Sequence, residues 1–129
     1  MPHVFEYALL RAVPRQERGE FLNVGVLVYC APLNFLGARV HVDERRLRAL
    51  DPFLDVELLK ANLDHLGISC DGDPVAGPVA KTTPGQRFRW LVAPRSTIIQ
   101  TSPAHTGLTD DPEGELDRLL RALVLPPEH

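Results

Sequence analysis

The sequence predicts an α+β domain spanning residues 1–129, with one mainly antiparallel sheet of about five strands packed by two to three helices. Three observations carry that reading. Leu22 to Cys30, LNVGVLVYC, is apolar on both faces, the pattern of a central strand covered on each side. The neighbouring segments are strand-like and joined by short turns, as in an antiparallel meander. From Asp43 onward, apolar residues recur at helical spacing.

His3 to Val13 places Phe5, Tyr7, Leu9 and Val13 on one face and Val4, Ala8, Leu10 and Ala12 on the other. Its β-branched and aromatic content favours a strand, and Pro14 ends it. RQERGE is a charged turn in which Gly19 takes positive φ at little cost. In the central strand Val24, Val26 and Val28 point one way; Asn23, Gly25, Leu27 and Tyr29 point the other. APLN turns the chain into a third strand, Phe35 to Val42.

Asp43 N-caps a first helix with Leu47 and Leu50 on its apolar stripe. Asp51 caps a second helix and Pro52 fits its first turn; Phe53, Val56, Leu59 and Leu63 recur along it, as do Leu58 and Leu66. Gly67 is its stop. Ser69 to Gln86, rich in proline and glycine, reads as a loop. Arg87 to Val92, RFRWLV, alternates Phe88, Trp90 and Val92 against Arg87 and Arg89, a strand with one wet face. Thr97 to Thr101 is the fifth strand, and PAHTG turns away from it. Asp111 caps a last helix whose stripe is Leu116, Leu119, Leu120 and Leu123, stopped by Pro126 and Pro127.

Composition bounds the function. Hydrophobic residues are 44% and charged residues 24%, as in a soluble globular protein. A net charge of -3 argues against a surface that embraces nucleic acid, because neutralising phosphates needs clustered Lys and Arg. Phe88 and Trp90, read as core-facing, are turned away from Arg87 and Arg89, so a base-stacking surface fails as well. Cys30 and Cys70 read as free thiols in a reducing compartment. The N-terminus lacks signal-peptide features and no apolar run is long enough to span a bilayer, which points to the cytoplasm. His3, His41, His65, His105 and His129 are scattered without ligand spacing, so no metal is expected. There is no Walker loop, dinucleotide fingerprint or nucleophile elbow, and no cofactor is implied.

YALLR followed by proline, ERGEFLNVGVLVYC and RFRWLVAPRSTIIQTSPAHTGLTDDPEGELDRLL together resemble a bacterial family described as domain of unknown function number three thousand and thirty-seven. The resemblance extends over essentially the whole chain, although Asp43 to Gln86 carries no matching motif. It implies no activity and no catalytic residue. It does imply a protein partner, a kinase like the HipA toxin.

The densest polar cluster is Arg95, Ser96, Thr97, Gln100, Thr101, Ser102, His105 and Thr106. Arginine captures phosphate or carboxylate bidentately, hydroxyls add donors, and histidine moves protons near neutral pH. One reading is an anion site; the other is a polar edge strand and a proline-rich turn. Arg18 is either an anion clamp or a turn partner of Glu20, and Asn23 is an amide needing partners from the downstream segment. Arg11, on the face of Tyr7 and Leu9, requires a partner such as Glu6. The leading expectation is a non-enzymatic binding or accessory module. Its anion-recognition surface would comprise Arg18, Asn23, Arg95, Ser96, Thr97, Gln100, His105 and Thr106 at one rim of the sheet, acting with a protein partner. The alternative is a metal-independent hydrolase or transferase on a phosphate ester, with His105 as general acid or base and Arg95 as clamp. Pairing of edge strands across a twofold axis is one way to protect them.

Overall fold

In a computed structural model, residues 1–72, 82–93 and 97–127 are described. The chain is α+β. Its strands are β1 (His3–Ala12), β2 (Leu22–Cys30), β3 (Phe35–Val40), β4 (Ile99–Thr101) and β5 (His105–Thr109). The helices are α1 (Glu44–Leu50), α2 (Val56–Asp71), α3 (Pro84–Leu91) and α4 (Pro112–Leu123). β3, β2 and β1 form the expected antiparallel meander. Both β4 and β5 return antiparallel to the far edge of β1.

The turns follow local chemistry. Gly19 at φ 66° closes the β1–β2 hairpin, and Asn34 at φ 50° closes the next. Between β4 and β5 the ladder is interrupted, and Ser102 repairs it. Its N–H donates to the Leu9 carbonyl at 2.9 Å, and its Oγ accepts the Leu9 N–H at 2.8 Å. A side-chain oxygen thus stands in for a ladder carbonyl just before Pro103, which has no N–H to offer.

The sheet is covered on both faces. Leu10, Ala12, Val24 and Leu27 pack with Leu47, Leu59, Leu63 and Phe88 of α1–α3. Phe5, Val26, Val28 and Cys30 pack with Leu116 and Leu119 of α4. Cys30 and Cys70 are free and belong to these two different clusters, on opposite sides of the sheet.

Several local expectations are corrected. Val24 does not share a face with Val26 and Val28. Leu10 pairs with Gly25 and Arg11 with Asn23, so Val24 is an extra residue in β2 and the register slips there. Asn23 consequently leaves the face of Gly25 and Leu27 and turns toward α4. RFRWLV is not a strand but the body of α3. Pro84 occupies the first turn and Thr83 and Gln86 form a reciprocal capping box, a start signal lying in the segment read as loop. Phe88 and Leu91 face the core at helical spacing, while Trp90 is 49% exposed.

α2 begins later and ends later than its sequence cues suggested. Asp55 is its N-cap, Asp51 instead ends α1, and Phe53 is exposed. Gly67 lies inside the helix, and Gly72 at φ 72° is the left-handed stop. PAHTG does not turn away: His105 opens β5.

Candidate functional site

Of the residues singled out in the sequence, Arg95 and Ser96 lie outside the described residues. Arg18 sits in the β1–β2 turn and is ion-paired with Glu20. That hydrogen bond is the main reason the Glu20 carboxyl lies below its ordinary range and Arg18 above its own. An arginine so engaged is neutralised within its own turn.

Asn23 is an anchor. Its Nδ2 donates to the Leu123 carbonyl at 3.1 Å, satisfying an acceptor at the C-terminal end of α4. Its partner therefore comes from α4, not from the downstream polar segment. Thr97 donates through Oγ1 to the Ile99 carbonyl, and Gln100 donates through Nε2 to the Thr97 carbonyl at 3.1 Å. His105 is exposed, with its ring 5.3 Å from that of Tyr7, directly opposite in register. Thr106 pairs with Glu6 and so points to the other face of the sheet.

The structure brings Asn23 and Gln100 to the same residue, Arg11. Arg11 is opposite Asn23 of β2 on one side and opposite Gln100 of β4 on the other. The three side chains form a row across β2, β1 and β4 on the α4 side of the sheet. The Arg11 guanidinium lies over the Phe21 ring at 4.2 Å. Arg11 is half-buried and makes no ion pair among the described residues. Its Nε is sealed from solvent without a hydrogen-bond partner, as is Asn23 Oδ1.

Glu6 is not its partner. Five positions separate Glu6 from Arg11, so strand parity sends them to opposite faces. Glu6 is held instead by Arg89 of α3 in a two-pronged pair at 2.9 and 2.6 Å. Arg87 is also committed: its Nε donates to the Cys70 carbonyl at 3.2 Å and its Nη1 to the Thr82 carbonyl, capping α2.

Phe21 is the contact the sequence reading overlooked. Its signal was present: an apolar residue beside the turn, facing the strand that carries Arg11. Nucleophilic chemistry finds little support among the described residues. Burial pushes the Cys70 thiol up to about 12. The Ser102 hydroxyl is held by backbone groups. No group of three potential metal ligands occurs among the described residues, and no helix among them is long and apolar enough to cross a membrane.

A family model described as "Protein of unknown function (DUF3037)" matches residues 7–124. No curated protein and no solved structure matches the chain.

Proposed function

The chain belongs to the DUF3037 family of proteins of unknown function, and from that premise we propose that it is a non-enzymatic binding module that recognises an anionic group at Arg11. The ligand chemistry is a set of carboxylate or phosphate oxygens carried by a protein partner. The observation that carries this reading is a half-buried guanidinium whose neighbours are an aromatic ring and two amides rather than a carboxylate. Such a group has surrendered part of its hydration and gained no counter-charge from the described residues. An incoming anion supplies that charge. Phe21, 45% exposed beside Arg11, adds apolar contact area of the kind that anchors protein interfaces. Gln100 extends the row with an amide that can turn to an incoming oxygen.

The experiment is side-chain NMR of arginine Nε–H groups during titration with inorganic phosphate in one arm and acetate in the other. Saturable movement of the Arg11 resonance, absent in Arg11→Gln, supports the site, and the stronger arm names the oxyanion. A static Arg11 resonance in both arms overturns it. The kinase class implied by the family resemblance is the first protein partner to test, with Arg11→Gln as the control.

A further inference from the structure

We propose that a second site, a cleft between α2, the end of α3 and the approach to β4, binds a small uncharged heteroaromatic ring. The cleft holds about 290 Å³, near the lower end of the range in which ligand pockets occur. Asn62, His65, Leu66 and Ser69 line one wall at the spacing of a single helix face. Trp90 and Leu91 form the opposite wall, and Thr97, Ile98 and Ile99 close the remaining side.

The lining specifies the chemistry. Leu66, Leu91, Ile98 and Ile99 give an apolar floor, and the half-exposed indole of Trp90 offers a π-face. Among the described lining residues there is no Asp, Glu, Lys or Arg, so stacking and hydrogen bonds rather than ion pairs are what this wall offers a ligand. Polar groups stand at the margins. Asn62 and His65 are exposed and free to meet the edge of a ring with both donors and acceptors. The Ser69 hydroxyl donates to the His65 carbonyl and keeps its oxygen as an acceptor. A flat ring with hydrogen-bonding edges, of nucleobase or nicotinamide type, satisfies both the stacking wall and the polar margin. A purely aliphatic ligand would leave that margin unmatched.

This site is separate from Arg11. Ile99 packs with the α1–α3 core, whereas Gln100 is paired with Arg11 on the other side of the sheet. The chain has one tryptophan, so its fluorescence reports the cleft directly. The test titrates full-length protein with adenine and with nicotinamide, exciting the indole selectively and following the His65 ring protons by NMR. Saturable quenching with matching His65 shifts, weakened at least five-fold in Asn62→Ala and His65→Ala, is the expected result. Both substitutions are at exposed positions, and an unchanged melting temperature verifies the fold. Adenosine monophosphate is expected to bind more weakly than adenine. Linear, non-saturating quenching, or quenching untouched by both substitutions, overturns the proposal. Arg11→Gln should leave adenine binding unchanged, so failure here and failure of the anion site are distinguishable.

Discussion

Arg11→Met should make the protein more stable. The native side chain holds a sealed, unpartnered Nε–H, and an unsatisfied buried donor costs about 1–3 kcal/mol. Against this stands the cation–π contact with Phe21, about 0.5–1 kcal/mol at a partly exposed position. Methionine keeps much of the aliphatic stem over the ring and adds a sulfur–aromatic contact of roughly 0.3–1.5 kcal/mol. The balance is a gain of about 2 kcal/mol, which for a chain of this size raises the melting temperature by about 6–10 °C. Urea denaturation followed by circular dichroism measures it, with an unchanged slope verifying that the unfolding transition is the same. The same variant should no longer respond to phosphate or acetate. A loss of more than about 1 kcal/mol would refute the reasoning, because it would mean that Arg11 is stabilised within the fold and is not waiting for an external anion.

Further outcomes follow from the same contacts. Ser102→Ala removes the oxygen that accepts the Leu9 N–H and should destabilise by about 1–3 kcal/mol, with faster exchange of the Leu9 amide in hydrogen-exchange NMR. Asn23→Ala should cost about 1 kcal/mol in denaturant melts and loosen the last turn of α4, read from amide exchange at Val124 and Leu125. Thr83→Ala breaks the capping box of α3 and should cost about 1 kcal/mol in the same melts. Burial raises the Cys70 thiol from 9.0 to about 12, so its contribution to stability is fully present below the unfolded value and lost as pH climbs from 9.0 toward 12. Cys70→Ala should therefore flatten the alkaline arm of the stability curve, and wild-type Cys70 should resist thiol reagents at pH 8 until the protein unfolds.

The meander was legible because its evidence is redundant. LNVGVLVYC is strongly apolar, its flanks are turn-forming, and Asp43 and Asp111 announce the helices that follow. α3 was missed because a six-residue run fits both a two-residue and a helical period; only the preceding TTPGQ decides, through its reciprocal cap. β5 was missed because HTGLT is polar and short, and its place depends on β1 offering an open edge. Of the residues around Arg11, two could be picked out beforehand. Asn23 and Gln100 were chosen for their chemistry, and the structure gives them a common neighbour. What the one-dimensional pattern hid was the extra residue at Val24, since a bulge reverses which side chains face which layer without altering composition.

That bulge and strand parity together explain why Arg11 stands without a carboxylate among the described residues. With a regular β2, Asn23 would face the α1–α3 core; the slip at Val24 moves it beside Arg11 instead. Parity removes Glu6 to the far face, where Arg89 takes it. At the turn, Glu17 lies 3.8 Å from Arg15, Asp51 lies 3.7 Å from the same side chain, and Glu20 is held by Arg18. Each of these three carboxylates therefore has a nearer cation than Arg11. Losing Arg18 should thus free Glu20 to compete for Arg11: Arg18→Ala is expected to weaken phosphate binding although Arg18 is not part of the proposed phosphate contact, and Glu20→Gln in that background should restore it. If Arg18→Ala binds as tightly as the wild type, the turn carboxylates do not set the charge at Arg11, and its isolation has to be explained by the strand geometry alone.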